Sequence, residues 1–167
     1  MTETDVRKTD ATHRKHLLAL LAGIEAHMTF EEAVADFPDE AINRRAPNVT
    51  YSPWQLLEHI RLTQADILDY VINPGYVDRS WPGDYWPQPD ATATPAEFAE
   101  TIRQYLADRE ALADLVKDRD RDLLTVVPNS PGHTLLREVR IAADHTAYHV
   151  GEFAILRQVM GTWPPSH

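Results

Sequence analysis

The chain contains no cysteine. That excludes disulfides, thiolate zinc sites and a cysteine nucleophile, and leaves histidine and carboxylate side chains to carry any metal or acid-base chemistry. No apolar run approaches the roughly 18 to 20 residues needed to span a bilayer. The first residues, Met1-Thr-Glu-Thr-Asp5, are polar and acidic, where an export signal would be basic and then apolar. The expected location is therefore the cytoplasm, with no membrane partner. Cations are scarce: 16 Lys and Arg against 26 Asp and Glu give a formal net charge of -10. No basic stripe compensates locally, since the densest arginine stretch, Asp118-Arg-Asp-Arg-Asp122, alternates in sign. Nucleic acid is not an expected partner. Strand patterns are missing too; Leu123 to Val127 is the best candidate and is short.

What is present is helical. Hydrophobic residues at 43% and charged residues at 25% are ordinary globular values. A chain of 167 residues fits one domain, 1–167, burying roughly two-thirds of its unfolded surface. Three helix starts carry a hydroxyl residue followed three positions later by Glu or Gln, the capping-box pattern: Thr29 with Glu32, Ser52 with Gln55, and Thr94 with Glu97. At Ser52 the signal is reinforced by Pro53 at the first helical position and by Tyr51 and Leu56, placed to staple the first turn. The spacing of Leu56, Ile60, Ile67 and Val71 predicts a helix that Asn73-Pro74-Gly75 ends. Phe98, Ile102, Tyr105, Leu112 and Val116 predict another, from Thr94 to about Lys117. A fourth long helix starts near Thr134 and carries Leu135, Val139, Ala142, Val150, Phe153 and Leu156 to a stop at Gly161. The first long helix is expected over about Ala11 to His27, and a short one after Thr29. The fold class is all-α.

Residues 73 to 93 hold four prolines with Tyr76, Trp81, Tyr85 and Trp86. The segment is neither a helix nor a flexible linker. About 20 extended residues reach roughly 65 Å, enough to cross the length of a roughly 27 Å helix, so the helices on either side of the segment can run parallel. Its aromatics either staple the crossover to the helices or wall the mouth of a pocket.

Of eight histidines, position singles out three. His145 and His149 are one turn apart, so both imidazoles leave the same helix face and can meet one ion. Two histidines on a polar face, or one satisfied in a core, would give the same spacing. The pair, however, borders the apolar stripe of its helix, where an unpaired imidazole nitrogen costs about 1 to 3 kcal/mol. His59 follows Leu56 by one turn and borders the core side of its own helix. Three neutral imidazoles from two facing helices would leave coordination positions open. Glu152, three residues after His149, is placed as a general base, as an acceptor orienting an imidazole, or as a solvated carboxylate. Glu58 points about 100° away from His59. Tyr148 and Arg157 are candidates for substrate contact or for packing. His13, His16, His27 and His133 read as surface or capping residues, and His167 belongs to a terminal tail.

Ser52-Pro-Trp-Gln-Leu-Leu-Glu-His59, followed by Asp144-His-Thr-Ala-Tyr-His-Val-Gly-Glu152 and Arg157, resembles the DinB/YfiT superfamily over nearly the whole chain. The resemblance implies a four-helix bundle in an up-down-down-up arrangement. It also implies a divalent metal held by His59, His145 and His149, and makes a homodimer the expected assembly. Imidazole ligands suit zinc or nickel, with iron or manganese also accommodated. Relatives of this kind include transferases that use a low-molecular-weight thiol. The expected function is then a metal-dependent, thiol-using transferase acting on a small-molecule substrate; metal-assisted hydrolysis of a small molecule and a noncatalytic stress or regulatory module are the alternatives.

Overall fold

The computed structural model describes residues 2–128 and 130–164, and His167 lies outside them. Its elements in order are α1 (Glu3–Ala22), α2 (Phe30–Val34), a 3-10 turn (Asp39–Ala41), α3 (Pro53–Ile72), α4 (Pro95–Lys117) and α5 (Leu135–Met160). The three capping boxes read from sequence are all formed, at Thr29, Ser52 and Thr94. A fourth stands at Thr2, where the N3 acid is Asp5, and it starts α1 eight residues before the expected Ala11. The cap holds the first turn, and among the described residues the buried apolar stripe of α1 begins at Leu17. The same helix stops short of the expected His27, because Gly23 adopts φ +70 and donates its N–H back to Ala19 and Leu20. Gly161 ends α5 in the same way, at φ +62. Leu123 to Val127 yields one isolated bridge, Val126 with Thr134, and no strand.

The long helices pack around two apolar clusters. Phe30, Ile42, Leu56, Ile60, Tyr105 and Phe153 belong to the first; Leu17, Ile67, Leu112, Val116, Leu135 and Val139 belong to the second. α3 packs on α4 and α5, and α1 packs on the same two helices. Early α3 meets early α4, where Trp54 Nε1–H donates to Thr101 (3.2 Å) and Thr101 Oγ1–H donates to Glu58 (3.0 Å). Late α3 meets the entrance of α5, where Tyr70 pairs with His133 (2.8 Å). Along α5, Ala142 and Ala143 end one cluster and Val150 begins the other. The residues between them include His145, Thr146 and His149, so the histidines sit where the two apolar sets join.

Two buried arginines fasten the ends of helices. Arg14 donates to the carbonyls of Val116 (2.7 Å), in the last turn of α4, and of Asp118 (2.8 Å) and Arg121 (2.6 Å), just beyond it. Arg157 has no solvent exposure. It donates to the carbonyls of Ala33, Ala35 and Thr162, each at 2.7 Å, and its guanidinium lies 4.1 Å from the Trp163 ring centroid. It is therefore a tether between α5, α2 and the turn after Gly161, and not the substrate contact that its position in the sequence allowed. Arg157→Met would leave three carbonyls without their donors, at about 1 to 3 kcal/mol for each that stays buried. Urea denaturation should show a loss of at least about 3 kcal/mol; a loss under about 1 kcal/mol would contradict the tether.

Candidate metal centre

The Ser52 capping box fixes the phase of α3. Gln55 N–H donates to Ser52 Oγ (3.2 Å) and Ser52 N–H donates to Gln55 Oε1 (2.9 Å). In that phase Gln55, His59 and Asp66 are all buried along one side of the helix. His145 and His149 come from consecutive turns of α5, and His149 is buried while His145 keeps partial contact with solvent. The ligand-type atoms of the three histidines lie within 4.8 Å of one another, so the group could hold a metal ion.

Proton placement follows from the partners. His59 Nδ1 lies 2.8 Å from the Tyr85 carbonyl oxygen, which can only accept, so the proton is on Nδ1. His149 Nδ1 lies 2.6 Å from Glu152 Oε2, and the same assignment holds. In the neutral rings both Nε2 atoms then carry lone pairs, and they face each other at 3.1 Å. His145 Nε2 stands at 3.1 Å from His59 Nε2. Between three nitrogens only one proton, that of His145, can be shared. A divalent cation would satisfy all three lone pairs. Zinc-to-nitrogen distances of about 2.0 to 2.1 Å in a tetrahedron place ligand nitrogens about 3.3 Å apart, close to the two 3.1 Å separations from His59, and all three ligand atoms lie within 4.8 Å of one another. A second hydrogen bond from the far nitrogen, to a carboxylate or a backbone carbonyl, is the usual support of a metal-binding imidazole.

The segment between α3 and α4 forms one wall. Trp86 stacks on the His59 ring at 4.0 Å with a 6° interplanar angle. The segment is strapped to α3 at both ends of the histidine's neighbourhood. Gln55 Nε2 donates to the carbonyls of Gln88 (3.0 Å), Pro89 (3.2 Å) and Ala91 (3.3 Å), and Asn43 exchanges two hydrogen bonds with Ala93. Asp66 accepts from Tyr85 Oη–H (2.7 Å), Tyr76 Oη–H (3.1 Å) and Arg79 Nε (3.0 Å). Burial, with Asp66 alongside, raises the Tyr76 hydroxyl to about 12 and raises that of Tyr85 as well, so both remain donors. On the other side Tyr51 donates to Glu152 Oε1, which leaves both Glu152 oxygens engaged.

The structure thus brings together the three histidines singled out in the sequence and places Glu152 as the acceptor that orients His149. Glu58 turns away to Arg61 and Thr101. His13, His16 and His27 are exposed. His133, read as a surface or capping residue, stands just before α5 and is half-buried between Tyr70 and Glu138. Tyr51 does pack on the first apolar cluster, as a staple would, but its hydroxyl joins the site. Sequence reasoning missed Asp66, Gln55 as a strap, and the Tyr85 carbonyl. An acid two turns after His59, on the core side of the helix, was the available signal for Asp66.

Two comparisons with known proteins bear on this geometry. The chain matches the family model of the DinB superfamily over residues 12–153. None of the curated proteins matches it.

If Asp66 holds Tyr85 in place for His59, Asp66→Asn should loosen the Nδ1–H tautomer. Long-range 15N correlation spectra of metal-free protein should then show the His59 nitrogens moving toward the exchange-averaged position, and metal affinity should fall roughly tenfold; unmoved His59 nitrogens would refute this role. A second expectation concerns pH. Burial, and then the neighbouring imidazoles, lower His145 from 6.5 to about 3, and burial also lowers His59. Below pH 6.5 the unfolded chain therefore binds protons that the folded chain refuses, and stability falls as pH drops toward the folded-state values. With chelator present, the urea midpoint should decrease between about pH 7 and pH 5, and His145→Gln should shrink that decrease. An equal decrease in both proteins would remove His145 as a cause.

Proposed function

We propose a function from two premises: the chain belongs to the DinB superfamily, and three buried or half-buried imidazoles bring ligand atoms within 4.8 Å of one another, with the His145 and His149 Nε2 atoms each 3.1 Å from that of His59. The reading is a divalent-metal-binding protein, with His59, His145 and His149 as ligands and zinc or nickel as the first candidates, that acts as a transferase with a low-molecular-weight thiol. The carrying observation is the pair of facing lone pairs, whose mutual repulsion a cation relieves. Among the described residues the group gathers three ligands and no fourth, which supports an open position and weighs against a closed structural site.

A bound divalent ion would supply Lewis acidity, polarising the thiol of a cosubstrate. The chain's own residues would do the rest. Tyr85 and Glu152 hold the far imidazole protons, Trp86 covers a face of the buried His59 ring, and Glu152 carries the compensating negative charge. With no cysteine, the sulfur must come from outside. Hydrolysis is less well supported, because both Glu152 oxygens already accept hydrogen bonds and a general base needs a free one within reach of the attacking water.

The same reading takes the four long helices as one up-down-down-up bundle. Supporting it, Trp54 and Glu58 of α3 both reach Thr101 of α4, whereas Tyr70 of late α3 reaches His133 before α5 and His59 of early α3 reaches His149.

Protein purified without added metal should contain close to one transition-metal ion per chain by elemental analysis, and His149→Ala should lose most of it. Equal metal in both preparations would end the ligand assignment. Conjugation of a model electrophile, assayed with several low-molecular-weight thiols, should require both thiol and metal; metal-replete protein with no thiol-dependent turnover would end the transferase reading.

A further inference from the structure

Phe, Tyr and Trp total 14 in this chain, and all but two of them are buried or half-buried. The exceptions are Trp81, 70% exposed, and Tyr148, 72% exposed. Both lie beside the histidine cluster. The Trp81 ring stands edge-on to His59 with centroids 6.3 Å apart, and the Tyr148 ring stands edge-on to His149 at 4.9 Å. They reach it from different elements, one from the segment between α3 and α4, the other from α5. Neither packs on an apolar cluster, although Trp86 of the same segment and Tyr51 do. The two rings border the cluster from two sides, one at His59 and the other at His149, and large exposed apolar surface beside such a cluster is a mark of binding.

The surroundings restrict what would bind. Beside Tyr148 a groove of about 360 Å³ runs between Tyr51, Glu152, Ile155 and Val159, a volume suited to a small molecule. Its lining contains one charged group, Glu152, and no cation. A carboxylate or phosphate would find no partner there. Ile141 is also exposed, one turn before His145, and extends the apolar border along α5.

We propose that Trp81 and Tyr148 bind the non-reacting part of the substrate, and that this part is an uncharged aromatic group. The inference rests on the metal-centre reading for where the reacting group goes, but the aromatic surface is a separate observation. Flat rings gain from offset or edge-on contact with Trp and Tyr beyond the area they bury, whereas a methyl group in the same place does not.

The test uses full-length protein loaded with cobalt(II), titrated with benzohydroxamate and with acetohydroxamate and followed by visible absorption. In the parent, the phenyl compound should bind about tenfold more tightly than the methyl one. In the W81A/Y148A double variant that ratio should collapse toward unity while cobalt content stays the same; an unchanged ratio overturns the proposal. A metal-free arm separates the two ideas. In protein labelled with 5-fluorotryptophan, the 19F resonance that W81F removes should shift with benzohydroxamate and not with acetohydroxamate. A parent that takes up no cobalt yet shows this shift would sink the metal reading and keep the aromatic surface. No shift would overturn the aromatic surface. Sedimentation is the last arm: a dimer that Tyr148→Ala converts to monomer would assign the exposed ring to a second copy of the chain and overturn the proposal.

Discussion

The hydrogen bond from His59 Nδ1–H to the carbonyl of Tyr85, 2.8 Å long, is the constraint on which the site depends. It decides which nitrogen of His59 faces the other two histidines. Its acceptor is backbone, so the identity of residue 85 matters less than where the chain passes. That requirement accounts for the irregular segment between α3 and α4. A loop of about twenty residues has many conformations to lose, and a single hydrogen bond contributes only about 0.5 to 1.5 kcal/mol. The position of the carbonyl must therefore be set by other contacts. Gln55 and Asp66, one turn before His59 and two turns after it, supply them.

Gln55 shows how closely local and distant structure are joined. Its side-chain oxygen caps α3, and its side-chain nitrogen straps the crossover at three carbonyls. Glutamate would make the same cap but has no N–H for the strap. The choice of amide over acid at the third position of this box thus belongs to the site as much as to the helix. The box at Thr94, whose third residue Glu97 is exposed, uses the acid.

Much of this was legible in the sequence, because the signals were local. The capping box at Ser52 lies within four residues and its phase puts His59 at the border of an apolar stripe, while the apolar spacing of α5 does the same for His145 and His149. The start of α1 was not legible. Its N3 residue is Asp5 rather than Glu or Gln, and the sequence before Leu17 has too few apolar residues to leave a helical period. Asp66 and the Tyr85 carbonyl were hidden for a different reason. They pair a helix with an irregular segment, and such pairing has no repeat to read. The reading of Arg157 was open in sequence since long cationic side chains serve either surface or core; only the three carbonyls around it settle the matter. Of the aromatics of residues 73–93, Trp86, Tyr76 and Tyr85 hold the segment down, which is the stapling role, while Trp81 stays in solvent.

Electrostatics explain why the cluster suits a cation in the absence of any other use. Burial, and then the two neighbouring imidazoles, disfavour protonation of His145, whose value falls to about 3. Neutral rings are what metal ligation needs. A core that wanted only packing could have filled the same space with leucine at no desolvation cost. A core that wanted a closed structural site would have turned a fourth ligand inward, and Glu152, the nearest carboxylate on α5, instead binds the outer nitrogen of His149. One negative charge behind the ring strengthens the donor on its other side and leaves the space in front of it free. That support from behind is what the proposed metal ligand needs if its inner nitrogen is to face the other two histidines.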